Sequence, residues 1–430
     1  MRRVADRALR VCDPATADRR GGRVRRLRPA DPGRVVVGLL LVALQGAGSP
    51  AAPPEHRPGA PSPERASFSA DSFDPLVEVG IRRGAYPGAA LIVGRRDTIL
   101  FGKGYGHLTW SAASRAVDPD GTLYDLASLT KVIATTTSLM LLVERGQVRL
   151  DEPVSTYIAE LQKPETAGIT VRQLLTHTSG LRADIPDPEL KAIPDSAALM
   201  VRVLRETPRV PPGTRIIYSD LNAILLGEVV RRVAGEPLDV FVAREAFVPL
   251  GLHQTMFRPP SRLRARIAPT GVWRGHPVAG TVNDGSAFKL RGVSGNAGLF
   301  STATDVARFA QFVLRGGTSL DGRRLLREAT VRLFTSKAAA FGARTEARAL
   351  GWQAMPTGES VSSAGTLFGP RSYGHTGWTG TSLWIDPDRD LFVVLLTNRA
   401  YAPRARRPFT VLKQVRGAVA DAAARASDAP

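Results

Sequence analysis

The pattern of apolar and polar positions gives this chain strand-like ends and a helix-like middle. Residues 1–34 are rich in Arg, Pro and Gly and carry no period, and a continuous apolar run, Val35 to Leu44, follows. Pro50 to Ala66 (PAAPPEHRPGAPSPERA) reads as an extended Pro/Ala linker. Folded sequence is expected from Phe68, with a helix over Asp71 to Arg83. Pro87-Gly88 then opens onto Ala89 to Val93 and, after Arg95-Arg96-Asp97, onto Thr98 to Phe101, which predicts a hairpin whose second strand runs toward Gly106. Val132 to Val143 (VIATTTSLMLLV) predicts one long buried helix ending near Gly146. Further helices are predicted at Val171–Leu175, Ser196–Glu206, Leu221–Val233, Pro237–Val248 and Thr304–Leu314. Alternation returns at Ser372–His375, Thr381–Ile385 and Phe392–Leu396, an antiparallel meander, and Phe409 to Ala424 closes as a helix.

Strands at both ends with helices between imply an α/β (α+β) fold: an antiparallel sheet flanked by helices, built from about 68–125 and 340–425, with an all-helical lobe inserted at 126–339. A cleft between lobes is the expected place for a site. The run from Val35 to Leu44 is too short to span a bilayer comfortably. Basic residues precede it and small ones follow, the layout of a secretory signal within an extension over 1–49. A periplasmic or secreted protein is expected, with an uncleaved anchor as the other outcome. Arg25-Arg26 also permits a twin-arginine signal.

Charge changes the picture less than its size suggests. The net charge is +19, and residues 1–66 hold thirteen Arg against six acidic residues, or +7 of it. The remaining +12 is scattered over single arginines. There is no basic stripe with interleaved aromatics and no helix-turn-helix or zinc-finger spacing, so no nucleic-acid partner is expected. Cys12 is the only cysteine, which excludes an internal disulfide, a Cys-based metal site and a CxxC motif. No cofactor or metal is expected, and the chain is expected to be monomeric.

Candidate chemistry sits at the start of the central helix. Ser128 and Lys131 stand one turn apart on a shared face, beside free N–H groups. A serine hydroxyl needs a base to take its proton. A lysine half buried among Leu, Val and Ile near other cations is expected to have its pKa lowered enough to serve. Ser-x-x-Lys occurs twice, and the second copy, Ser286-Ala287-Phe288-Lys289, lies among Asn283, Gly285, Gly292 and Gly295 and reads as loop. A second motif, Pro212 to Asn222 (PGTRIIYSDLN), places Tyr218 at an element edge, where it can shuttle a proton. A third is His375-Thr376-Gly377-Trp378-Thr379-Gly380. There the N–H groups of Trp378 and Ser128 are candidates for an oxyanion hole, and Gly377 lets a substrate lie against the strand.

These motifs, in this order, resemble the serine beta-lactamase and penicillin-binding superfamily, particularly its class C-like branch, over about Asp74 to Arg416. Leu174 to Leu181 (LLTHTSGL) and Gly292 to Ser301 (GVSGNAGLFS) add to the likeness. The resemblance implies that Ser128 is acylated, that Lys131 activates it and that Tyr218 is the general acid/base. It makes His177 a structural, hydrogen-bonding residue. Asp220, Asn222, His375, Thr376, Gly377 and Trp378 become the substrate-binding set. An enzyme of beta-lactamase, D-alanyl-D-alanine carboxypeptidase or esterase type is implied, acting on a small-molecule or peptidoglycan-type substrate.

Two positions depart from the pattern. Asp220 stands where class C beta-lactamases have Asn, so an amide donor is missing unless Asn222 replaces it. His375 stands where they have Lys, a titratable charge in place of a fixed one, and Lys131 is expected to push its pKa down. Substrates lacking a carboxylate should therefore be favoured, with Arg399 or Arg406 as compensating anchors. No Gly-x-Ser-x-Gly, His-Glu-x-x-His, Walker or dinucleotide-binding pattern occurs. The rival reading is a non-catalytic or slow-turnover penicillin-binding, peptidoglycan-sensing protein of the same fold.

Overall fold

The computed structural model describes residues 68–341, 347–356 and 362–428. The expected signal run, the Pro/Ala linker and Cys12 lie outside the described residues. All described residues fall in one compact unit, 63–430, so the two expected lobes are parts of one body.

An eight-stranded antiparallel sheet forms its centre. The strands are β1 (Gly88–Gly94), β2 (Ile99–Gly106), β3 (Ala339–Ala340), β4 (Ala347–Arg348), β5 (Gln353–Ala354), β6 (Tyr373–Thr376), β7 (Ser382–Asp386) and β8 (Leu391–Thr397). Their order is β2-β1-β8-β7-β6-β5-β4-β3, and the first and last long strands meet with Leu91 opposite Leu395. Every residue of β1 and of β8 is buried, because helices cover both faces.

Alternation assigns the two cores. Ala89, Leu91 and Val93 face Phe73 and Val77 of the helix Ala70–Arg82 and Leu412, Val415 and Val419 of the helix Pro408–Asp428. Ala90 and Ile92 face the other way, into the core that holds Leu129, Val132, Ile133 and Phe309. Each of the Val, Leu, Ile and Phe side chains contributes about 1.5–3 kcal/mol relative to exposure.

The inserted region is not all-helical. Tyr124–Asp125, Leu299–Ser301 and Met256–Phe257 form a three-stranded sheet, and Gly271–Trp273 pairs with His276–Val278. Strands of two or three residues are too short to leave a period in the sequence. The central helix is also not uniform. Lys131–Thr136 is wound as a π-helix and Thr137–Glu144 as an α-helix, with Gly146 beyond the end at φ +70°. Such wide turns occur often at functional sites. Among the described residues, no helix is long and apolar enough to cross a membrane.

Candidate active site

The site is built from three turns that meet at Ser128. In the first, Tyr124-Asp125 pairs with Phe300 and Ser301, and the Leu126 N–H donates to the Leu299 carbonyl, 2.9 Å. The buried Asp125 carboxylate accepts the N–H groups of Ala127 (2.9 Å) and Asn283 (2.7 Å), and burial pushes its pKa up to about 6. Ala127 is thereby held at φ +46°, a left-handed conformation that is costly for a residue with a side chain. The turn lifts Ser128 out of the core, half-buried between buried neighbours, just before the helix begins.

Lys131 is 3% exposed and donates to Ser128 Oγ at 2.9 Å and to the Asn296 carbonyl at 3.0 Å. Its Nζ also lies 2.6 Å from Asp220 Oδ1. This pairing overturns the expectation of a lowered lysine pKa. Burial pulls it down, but the Asp220 carboxylate, helped by Tyr218, holds it above the ordinary lysine range. Lys131 is therefore a fixed cation rather than a resting base.

The second turn carries Tyr218. The Ser219 side chain accepts from the Asn222 N–H, 3.4 Å, and starts the helix Asp220–Ala234, which leaves Tyr218 immediately outside it. The Tyr218 hydroxyl donates to Ser128 Oγ at 2.9 Å. His177, in a left-handed conformation of its own, clamps this turn. Its carbonyl accepts from Ile217 N–H (2.8 Å) and its Nδ1 from Ser219 N–H (3.1 Å). Burial, then Arg348, Lys131 and His375, drives the His177 pKa well down, so it is a neutral support. Asn222 is a support too. It is fully buried, its Oδ1 accepting from Ser179 Oγ at 2.6 Å and its amide nitrogen 3.4 Å from His177 Nδ1, so it does not face a substrate.

The third turn joins β6 to β7. Thr379 and Thr381 hydroxyls donate to the carbonyls of Asp125 (2.7 Å) and Leu126 (2.9 Å) and tie this turn to the one before Ser128. A Cβ at Gly377 would lie 2.5 Å from the Leu126 carbonyl oxygen, so only glycine permits the approach. Among the described residues, the N–H groups of Ser128 and Trp378 make no hydrogen bond within the fold. Thr376 is half-buried at the end of β6, while the Trp378 side chain is exposed. His375 is 3% exposed, its ring 5.9 Å from that of Tyr218 and its Nδ1 2.9 Å from the Thr376 carbonyl. Its pKa is driven well down by burial first and by Arg348 and Lys131 after it.

Sequence reasoning missed Arg348 of β4. It is buried, its guanidinium 5.0 Å from the centre of the Tyr218 ring, on which Lys131 also bears at 5.1 Å. A lone arginine in a two-residue strand leaves no signal. Asp184 and Asp284 were missed as well. Burial raises both, and Asp220 adds to it, bringing Asp184 to about 7. Arg399, expected as a carboxylate anchor, is instead 5% exposed beneath Trp378 and Phe409, while Arg406 is exposed in the loop after β8.

Comparison with known proteins gives the following. The family model described as Beta-lactamase matches residues 73–416. A protein of Escherichia coli (strain K12) that carries the provisional name D-alanyl-D-alanine carboxypeptidase is 32% identical over 393 residues, covering 80% of this chain and 86% of that one. A penicillin-binding protein homologue from Caulobacter crescentus is similar in fold, with a TM-score of 0.66 at 21% identity over 85% of this chain and 99% of that one. So is EstCE1, a hydrolase with promiscuous acyltransferase activity, with a TM-score of 0.65 at 22% identity over 84% of this chain and 100% of that one.

Proposed function

The chain belongs to the beta-lactamase family, and on that premise we propose that it is an exported serine hydrolase that works through an acyl-enzyme on Ser128 and prefers esters lacking a carboxylate to beta-lactams. One observation carries the reading: Ser128 Oγ lies 2.9 Å from both Lys131 Nζ and the Tyr218 hydroxyl.

With Lys131 held as a cation, Tyr218 is the group left to take the serine proton. The Tyr218 hydroxyl first gives its own proton to solvent, and the oxygen that then takes the serine proton belongs to a ring facing Lys131 and Arg348. Ser128 Oγ attacks the substrate carbonyl carbon as its proton passes to the Tyr218 oxygen. The carbonyl oxygen takes up the negative charge in front of the Ser128 and Trp378 N–H groups. Tyr218 then returns the proton to the leaving amine or alkoxide. Water, deprotonated by the same oxygen, cleaves the acyl-serine ester and restores the enzyme.

Substrate preference follows from charge. A neutral His375 cannot anchor a carboxylate, and Asp220 can donate no hydrogen bond to a substrate carbonyl while ionised. The relative named as a carboxypeptidase and the hydrolase of similar fold agree with an amide or ester substrate. The signal-like run at Val35 to Leu44 supports export.

The test is a panel of nitrocefin, a D-Ala-D-Ala peptide and p-nitrophenyl esters on purified protein. It is joined to intact-mass spectrometry after a labelled penicillin. Transient labelling of Ser128 with multiple turnover on one panel member is expected. Permanent labelling with no turnover would make this a slow sensor instead.

A further inference from the structure

Several buried charges in this protein are matched. Lys131 has Asp220, and the carboxylate of Glu206 has Arg182 and Arg202 at 2.7 and 2.5 Å. Arg399 and Arg416 differ. They are 5% and 7% exposed, and among the described residues neither has a carboxylate within ion-pair distance. Each gives one Nη donor to a carbonyl of the β6–β7 turn, Arg399 to Trp378 and Arg416 to Thr381, the latter at 2.7 Å. The Nε–H of each has no acceptor among the described residues.

The two side chains bear on one turn, and the charge of Arg399 is felt at Arg416. Gly380 closes the turn between their acceptors, and a Cβ there would lie 2.8 Å from Arg399 Cβ. Burial lowers the Arg399 pKa to about 10, and burial with the charge of Arg399 lowers that of Arg416 to about 9. Two aromatic rings roof Arg399. The Arg399 guanidinium lies 3.7 Å from the Phe409 ring centre and 4.9 Å from that of Trp378, and these rings are 40% and 62% exposed. Buried cations are ordinarily paired with an anion. Here the fold supplies two positive charges and two idle donors, with solvent-exposed rings over Arg399.

We propose that Arg399 and Arg416 form a binding site for a small monovalent inorganic anion of chloride size, beneath Trp378 and Phe409, and that its occupancy steadies the oxyanion-hole turn. The enclosure sets the size, since both arginines are more than nine-tenths buried. The donors set the class: two single N–H groups suit a spherical anion that accepts from any direction. The coupling runs through Arg399, which holds Trp378 by its carbonyl while the Trp378 N–H stays free of the fold. An anion beside Arg399 fixes the guanidinium that fixes the turn.

The experiment is a titration of wild-type protein with sodium chloride against sodium gluconate at constant ionic strength, read by thermal unfolding. A saturable rise in Tm of a few degrees is expected as chloride replaces gluconate. Arg416→Met should abolish the chloride dependence whatever its own Tm. Identical Tm values across the wild-type titration would overturn the site. The coupling, unlike the binding, rests on the hydrolase reading. With p-nitrophenyl acetate, kcat/KM should rise by about fivefold, the lower end of ordinary coupling, at the same chloride midpoint as Tm. A flat rate beside a saturable Tm would overturn the coupling. Absence of turnover on every panel substrate in every salt would sink the hydrolase reading, and the Tm titration would still decide the site.

Discussion

The chain carries the same four-residue spacing twice, and the two copies came to opposite ends. Ser128 precedes its helix, half-buried, with Lys131 Nζ on its hydroxyl at 2.9 Å. Ser286 lies inside the short helix Gly285–Lys289, 2% exposed, and its hydroxyl has no partner among the described residues. Lys289 turns away and donates to the Ile193 carbonyl at 2.6 Å. The difference lies in the one or two residues that lead into each serine. Ala127 at φ +46° swings Ser128 out of the core, whereas Asp284 caps the second helix, accepting from Ala287 N–H at 2.7 Å, and winds Ser286 inward.

The widest separation should come from the serines themselves. Ser128→Ala is expected to lower kcat/KM on the best ester by about 10³-fold or more. Ser286→Ala should leave turnover unchanged and keep or raise Tm, since it removes a buried hydroxyl with no partner. Loss of activity in the Ser286 variant with retention in the Ser128 variant would invert the comparison. Next in size is Tyr218→Phe, which keeps the ring between the two cations but removes the proton carrier. A fall in kcat of about 10²–10⁴-fold is expected, and an unchanged rate would move the proton traffic to Lys131.

Asp220→Asn sharpens the contrast between a held lysine and a free one. In the wild type the raised Lys131 pKa gives stability that is fully present below the unfolded lysine value and is lost only as pH rises through the folded one. Without the carboxylate, burial dominates and the pKa drops. The alkaline limb of the pH profile should then move to lower pH. Stability should fall toward the low end of the about 3–5 kcal/mol typical of a broken buried pair. A pH profile superimposable on that of the wild type would show that Asp220 does not set the charge of Lys131. The smallest effect is expected from Lys289→Met: about 1–2 kcal/mol of stability from the lost charged hydrogen bond, read in urea, with turnover unaltered.

Much of this was legible in the sequence because it is local. The hairpin β1–β2, the meander β6–β8 and the helices around Asp220–Ala234 and Pro408–Asp428 are long enough to show their period. Tyr218 and the third turn could be found by their motifs. What stayed hidden depends on pairs far apart in the chain. Asp220 read as a missing amide donor, yet its partner is Lys131 in another element, and that pairing reverses the sign of the lysine shift. The two-residue strands β3–β5, and with them Arg348, lie below the length at which alternation means anything. Asn222 and Arg399 were polar residues in the right stretches, but they are buried against other partners, Ser179 for the first and Trp378 and Phe409 for the second.

The pairing of β1 with β8, Leu91 opposite Leu395, has a consequence for how the molecule comes into being. Closing so long a loop adds only slowly to the entropic cost of folding but slows the search for the native topology. During synthesis from the N-terminus, Ser128, Lys131 and Tyr218 leave the ribosome well before β6 and β7, which carry the turn that completes the site. A nascent or truncated chain lacking those strands would own a nucleophile and its proton carrier with no place for the oxyanion. Competence should therefore arrive all at once and late, at the moment the last long strand docks beside the first.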